Sequence, residues 1–170
     1  MTITQSDQAD QADQPTGDTR ETGEIDEAGP DNQLLGTPGA LRYVFVYGTL
    51  RRGEQRDITL LRPAPVFIGM SQTPGVLYHL GACAYPGLRL NGPAAVRGEV
   101  YQITPELERQ LDEIESVWPQ QSGEYARQEI VVRVTDSNHG ERVLTCLVYE
   151  VSLERIRGMA VIASGDWCGR

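Results

Sequence analysis

Residues 43–53 read Tyr-Val-Phe-Val-Tyr-Gly-Thr-Leu-Arg-Arg-Gly. The first five are aromatic or β-branched, an uninterrupted run of the kind a buried strand needs. Gly48 ends the run and admits backbone angles that other residues avoid. Thr49 and Leu50 then supply amides able to point at one spot, and converging N–H groups in a turn make a small anion site. From the residues alone, a strand followed by an ordinary turn is the simpler reading.

Around this stretch the charge is uneven. The 170 residues carry a net charge of −9. Residues 1–39 hold nine acids (Asp7, Asp10, Asp13, Asp18, Glu21, Glu24, Asp26, Glu27, Asp31) and one base, Arg20, so that segment accounts for −8. Gln, Asp, Thr and Gly dominate it, and its apolar surface is too small to offset ordering entropy, so residues 1–39 are expected to be a disordered acidic tail. Residues 40–170 form the expected domain and are nearly neutral, which excludes a generally basic nucleic-acid footprint. A local cluster, Arg51, Arg52 and Arg56, remains available to one anionic group.

All 15 basic residues are arginine, which rules out a lysine Schiff base and a Walker-type phosphate loop. Cys83, Cys146 and Cys168 with His79 and His139 match no zinc spacing. The odd cysteine count without a secretion signal points to free thiols in a reducing cytoplasm. No segment reaches membrane-spanning length, so a membrane partner is not expected.

Downstream, residues 54–62 are predicted as a short helix with Ile58 and Leu61 facing in, stopped by Pro63 and Pro65. Residues 66–70 and 75–80 read as strand pieces broken at Thr73-Pro74, residues 85–87 as a turn before a strand at 88–90, and Asn91-Gly92 as a hairpin-like turn into a strand at 95–103. Thr104-Pro105 opens a helix, a hydroxyl N-cap followed by Pro where no N–H is needed, and the helix runs to about Glu115. A loop at 118–124 separates it from strong β segments at 125–134 and 142–151, joined by a turn at 136–140. The fold class is α+β: a small mixed β-barrel of about six strands with flanking short helices.

On that helix Leu107, Leu111 and Ile114 form the apolar stripe. Glu113 points away from it, Asp112 lies far round the side, Glu108 borders it two turns early, and Glu115 borders it at the C-terminal end. The negative end of the helix dipole raises the pKa of a carboxyl group there, and a carboxyl raised toward neutrality serves as both base and acid. A plain surface carboxylate at a helix end is the alternative.

Four short motifs follow one another over residues 43–167: Tyr47-Gly48-Thr49-Leu50 after an apolar strand, Leu111-Asp112-Glu113-Ile114-Glu115 on a helix, Tyr125-Ala126-Arg127 before Ile130-Val131-Val132, and Gly165-Asp166-Trp167. In this order they resemble the γ-glutamylcyclotransferase-like family. The nearest branch holds γ-glutamylamine cyclotransferases and a bacterial enzyme that removes a γ-glutamyl protecting group from an aminoglycoside. The resemblance implies a compact β-barrel with flanking helices and makes Glu115 the catalytic carboxylate. Family members commonly continue with Gly and an aromatic residue, whereas Ser116-Val117-Trp118 stands here, so the loop after the helix departs from the pattern.

The implied reaction closes a γ-glutamyl amine to 5-oxoproline and releases the free amine. Amides around Gly48, Thr49 and Leu50 are expected to hold the substrate's α-carboxylate, and Glu115 to move protons. Tyr47 and Tyr125 are expected to hydrogen-bond the substrate or orient Glu115. No cofactor, metal or covalent nucleophile is called for, and the partner is a small molecule rather than nucleic acid. The alternative is a non-catalytic binding or regulatory protein that kept the pocket. His79 reads as structural, Cys83 and Cys146 as core thiols, Trp167 as packing, and Arg127 as an ion-pair partner in the sheet.

Overall fold

The run of apolar residues at 43–47 is apolar because it is enclosed on both sides. In the computed structural model, which describes residues 40–81, 85–117, 122–136 and 140–169, it forms the first strand, β1 (Arg42–Val46). Val44 and Val46 face one way and Phe45 the other, and all three are buried. A strand covered on both faces loses the polar alternation of a half-exposed one.

The following strands are β2 (Val66–His79), β3 (Pro86–Leu90), β4 (Ala94–Ile103), β5 (Tyr125–Asp136), β6 (Gly140–Val151) and β7 (Ala160–Val161), with one α-helix, α1 (Pro105–Ile114), between β4 and β5. The sheet order is β3-β2-β4-β1-β6-β5, and β5 pairs back to β2, so β2, β4, β1, β6 and β5 close a five-strand barrel. All barrel pairings are antiparallel except β1 with β6, where Val44 stands opposite Leu147. Closure rests on a close approach at Met70 and Thr135. A Cβ on Gly69 would lie 2.8 Å from the Thr135 carbonyl oxygen and 2.6 Å from Val134 Cγ1, so only glycine lets the two strands meet there.

The barrel interior is filled by Phe45, Leu77, Leu88, Val96, Val100, Val132, Val134, Cys146, Val148 and the wholly buried Trp167. A second core lies between the outer faces of β1, β4 and β6 and the apolar stripe of α1: Val44, Val46, Ile103 and Leu147 against Leu107 and Leu111. Thus β1 is the shared wall of both cores, and its C-terminal end emerges where the helix ends.

Several local expectations are corrected. Residues 54–62 do not form an α-helix; only Ile58–Leu60 make a 3₁₀ turn. Asp57 explains this, since its side chain accepts from the Thr59 amide and hydroxyl and from the Gly53 amide, an arrangement that competes with a helical ladder. Thr73-Pro74 does not break β2. Pro74 still pairs with Ala95, and its carbonyl accepts from the Asn91 amide, so the missing donor leaves the strand intact. Pro86 and Gly87 belong to β3 rather than to a turn. Asn91-Gly92 does not join a hairpin: β3 and β4 lie on opposite edges of β2, with Gly75 opposite both Leu90 and Ala94, and the segment carries the chain across β2. The two-residue β7, bridged to Tyr78 and His79, has no sequence signal of its own. The expected tail, much of the 118–124 loop and the tip of the 136–140 turn lie outside the described residues. Among the described residues no helix is long and apolar enough to cross a membrane.

Candidate active site

As β1 ends, the chain turns sharply and its carbonyls are taken up locally. The amides of Arg51, Arg56 and Ile58 donate to the carbonyls of Gly48, Thr49 and Leu50 at 3.0, 2.9 and 3.0 Å. Among the described residues, the amides of Gly48, Thr49 and Leu50 themselves donate to no acceptor, and all three residues line a cavity of about 130 Å³. Unused donors of this kind beside a cavity are what an anion-binding turn offers. Gly48 is required by Pro86, whose Cγ would lie 2.6 Å from an added Cβ.

The arginine cluster expected beside this turn is divided. Arg51 is buried and holds the turn from beneath: its Nε donates to Glu99 at 3.0 Å and its Nη1 to Asp166 at 2.7 Å. Glu99 also accepts from the Arg52 amide and the Tyr101 hydroxyl. A buried guanidinium demands such partners, so Arg51 is not free for a ligand. Only Arg56 of the three lines the cavity; it reaches the Ile114 carbonyl at 3.5 Å and makes no ion pair among the described residues.

The opposite wall comes from the end of α1. Thr104 caps its start by accepting from the Leu107 amide. At the other end Glu115 is the C-cap, Ser116 takes the left-handed conformation (φ 53°), and the amides of Ser116 and Val117 donate to the carbonyls of Glu113 and Asp112 at 3.1 and 2.8 Å. This pair of bonds is the Schellman closure, in which the left-handed position is usually glycine. Ser116 therefore holds, at φ 53°, the conformation that a glycine most often supplies at this position. The amide of Glu115 still donates to the Leu111 carbonyl at 2.9 Å, the last rung of the helical ladder, and the residue lines the cavity.

Burial is the main cause that pushes the Glu115 carboxyl up to about 7; the Arg56 charge opposes it, and Glu124 adds to it. Among the described residues its carboxyl forms no hydrogen bond or ion pair. Tyr47, Tyr125 and Tyr149 surround it. Burial raises the pKa of each phenol, and the Glu115 charge contributes in all three.

All six residues expected from sequence, Tyr47, Gly48, Thr49, Leu50, Glu115 and Tyr125, line this one cavity. The tyrosines do not orient Glu115 by hydrogen bonding. Tyr47 donates to the Tyr149 carbonyl at 2.7 Å, and Tyr125 to the Pro86 carbonyl at 3.0 Å. A buried hydroxyl takes the nearest acceptor, and here that is backbone. The Tyr47 oxygen also accepts from the Leu88 backbone and keeps one lone pair, while the Tyr125 oxygen keeps both, so each can accept from a ligand ammonium.

Asp112 lies off the apolar stripe, as its helical phase predicts, and it is nevertheless buried. Its carboxylate accepts from the Tyr149 hydroxyl and from Arg127 Nη1, both at 2.8 Å. The helix is covered on a second face by β5 and β6, and Glu108, one turn earlier, shares Arg127 and also pairs with Arg42. Arg127 thus clamps helix to sheet rather than pairing within the sheet. Cys146 is a buried thiol, and burial pushes its pKa up to about 12; Cys168 is exposed and Cys83 lies outside the described residues. His79 packs against Trp167, ring centroids 5.6 Å apart.

Sequence reasoning missed Tyr85, Ile114, Ser116, Glu124 and Tyr149 as cavity residues. Alternation in β6 hinted at Tyr149, whose neighbour Val148 faces the barrel interior. Glu124 gave no such sign; it accepts from the Tyr85 hydroxyl at 2.8 Å and from Arg155 at 2.9 Å, which fixes it at the mouth. Among the described residues no group of three or more His, Cys, Asp or Glu side chains is placed to hold a metal ion.

The family described as "Gamma-glutamyl cyclotransferase, AIG2-like" matches residues 44–169, from β1 to the C-terminal turn. The chain belongs to this family. A Vibrio cholerae serotype O1 relative named "Putative gamma-glutamylcyclotransferase" is 38% identical over 128 residues, covering 75% of this chain and 96% of the relative. Among solved structures, an AIG2-like protein of Mus musculus superposes with a TM-score of 0.57 at 28% identity, over 68% of this chain and 82% of that one. YkqA of Bacillus subtilis gives a TM-score of 0.53 at 26% identity, over 75% of this chain and 39% of that one. The family match includes every residue that lines the cavity.

Proposed function

We propose that the protein is a γ-glutamyl cyclotransferase acting on γ-glutamyl amines: it closes the γ-glutamyl group to 5-oxoproline and releases the amine. The observation that carries this reading is the meeting, in one small cavity, of a desolvated carboxyl (Glu115) and three undonated amides (Gly48, Thr49, Leu50). A cavity of about 130 Å³ suits a single compact head group.

In this mechanism the free amides hold the substrate's α-carboxylate. The oxygens of Tyr47 and Tyr125 accept from its ammonium. Glu115, ionised, takes a proton from that ammonium. The freed amine attacks the γ-carbonyl carbon, a C–N bond forms, and the carbonyl π electrons move to oxygen. When the carbonyl re-forms, Glu115 gives its proton to the leaving nitrogen and that bond breaks; Glu115, ionised again, then passes the ring nitrogen's extra proton to the departing amine, which leaves as an ammonium. Atoms balance with no added water, and Glu115 ends as it began. Because nucleophile and carbonyl belong to one molecule, holding the chain folded supplies much of the acceleration. A carboxyl near 7 is matched to both proton transfers at neutral pH, which a simple binding pocket would not need.

Mass spectrometry of products from a free γ-glutamyl amine and from its N-acetyl form tests this. The expected result is 5-oxoproline from the first and no turnover of the second, whose nitrogen lone pair is tied up. Glutamate as main product, or equal turnover of both, would refute the reaction type.

A further inference from the structure

We infer that Asp166 is a positioning residue for the substrate's α-carboxylate: through Arg51 it fixes the turn whose unused amides face the cavity; this rests on the activity proposed above. Asp166 does not line the cavity, so its effect on a substrate passes through Arg51.

Arg51 ends the turn. Its amide donates to the Gly48 carbonyl at 3.0 Å, which closes residues 48–51 on themselves. Where the Arg51 backbone stands therefore decides where the amides of Thr49 and Leu50 point. The side chain is held at two places: Nε donates to Glu99 Oε1 on β4 at 3.0 Å, and Nη1 to Asp166 Oδ1 at 2.7 Å. Glu99 has a second hold on the same corner, since its Oε2 accepts from the Arg52 amide at 3.0 Å. The Arg51 side chain is only 7% exposed, so water cannot stand in for either carboxylate.

Asp166 is itself anchored on both sides. The Gly165 carbonyl accepts from the Arg97 amide at 2.8 Å, which seats the C-terminal segment on β4, and the next residue, Trp167, is wholly buried in the barrel. Asp166 Oδ1 also accepts from the Cys168 amide at 3.1 Å. Arg97 Nη1 stands 3.8 Å from Oδ2, so the two carboxylates around Arg51 are met by two guanidinium groups. An aspartate in this place adds little apolar packing. What it supplies is a fixed acceptor, and the group it fixes is the end of the anion-binding turn.

The test is 5-oxoproline release from γ-glutamyl butylamide and from its α-carboxamide, which keeps the nucleophilic amine and lacks the anion. The wild type is expected to prefer the acid. In Asp166→Ala, KM for the acid is expected to rise about tenfold with kcat within about threefold, because the α-carboxylate is held alike in ground and transition states. The α-carboxamide should change far less, so the acid-to-carboxamide ratio of kcat/KM falls about tenfold. Asp166→Asn, which keeps an oxygen for Arg51 Nη1, should recover part of that ratio. A merely structural role would slow both substrates equally. An unchanged ratio, or a wild-type ratio near one, would overturn the inference while the cyclisation stands. If Asp166→Ala does not fold, Asp166→Asn decides: a ratio below that of the wild type supports the positioning role, and an equal ratio overturns it. Absence of 5-oxoproline from both substrates in the wild type would instead remove the activity. Calorimetry of the same two amides would then judge the turn alone: a preference for the acid that Asp166→Ala lowers keeps the positioning role, and an unaltered preference removes it.

Discussion

Replacing Glu115 by Gln should make the protein worse at chemistry and, above neutral pH, more stable. The carboxyl stands at about 7 in the fold against an ordinary 4.5, chiefly because burial penalises its charged form. A displacement of that size corresponds to roughly 3 kcal/mol. The sign follows from linkage. With the folded value raised, the native state holds the proton more tightly than the unfolded chain. The stability this confers is fully present below about pH 4.5, falls as pH rises toward 7, and is gone above it. The side-chain amide of the Glu115→Gln variant has no such proton to lose. Urea denaturation of both proteins at about pH 4.5 and about pH 8 should therefore show the variant gaining on the wild type by about 3 kcal/mol across that interval. Over the same range the wild-type kcat/KM should rise with an acid limb near 7, and the variant should fall by about 100-fold or more. A stability difference that stays constant with pH would mean that Glu115 is not desolvated, and the proton-transfer role would lose its physical basis.

Gly48→Ala would set a methyl 2.6 Å from Pro86 Cγ, a ring that cannot swing aside, so thermal melting should show a loss of about 1–3 kcal/mol together with reduced turnover. Ser116→Gly removes the side chain from a left-handed residue (φ 53°); chemical denaturation should show a gain of about 1 kcal/mol with activity retained, and a loss would refute the reading of the helix cap. Deletion of residues 1–38 should leave folding and activity intact, which melting temperature and 5-oxoproline release check; a loss of several degrees would mean that the segment is docked.

What could be read from the sequence was what short-range physics decides. The apolar run at β1, the Thr104-Pro105 helix start and the Leu107–Leu111–Ile114 stripe each follow from local periodicity, and placing those three fixed where Glu115 and the Gly48 turn would emerge. The misreadings came from partners distant in sequence. Helical phase places Asp112 off the apolar stripe and gives no sign of its burial, which only Arg127 and Tyr149 from later strands make tolerable. Arg51 and Arg56 look alike in sequence; Glu99 and Asp166 claim the first and leave the second at the cavity. Asn91-Gly92 carries a hairpin signal, yet β2 already stood between the strands it joins.

The parallel pairing of β1 with β6 has a consequence for how this chain comes into being. Val44 lies opposite Leu147, and the Tyr47 hydroxyl closes on a carbonyl 102 residues later. During synthesis the first strand leaves the ribosome with one of its two edges still waiting for a partner far downstream in the sequence. Long-range pairings of this kind slow folding, because a large loop must close before the contact forms. Until β6 arrives, Val44, Val46 and the Gly48 turn have no finished surroundings, so a nascent chain released early would present an open apolar edge. Released chains that end before β6 and chains that include it should thus differ sharply in protease resistance at β1.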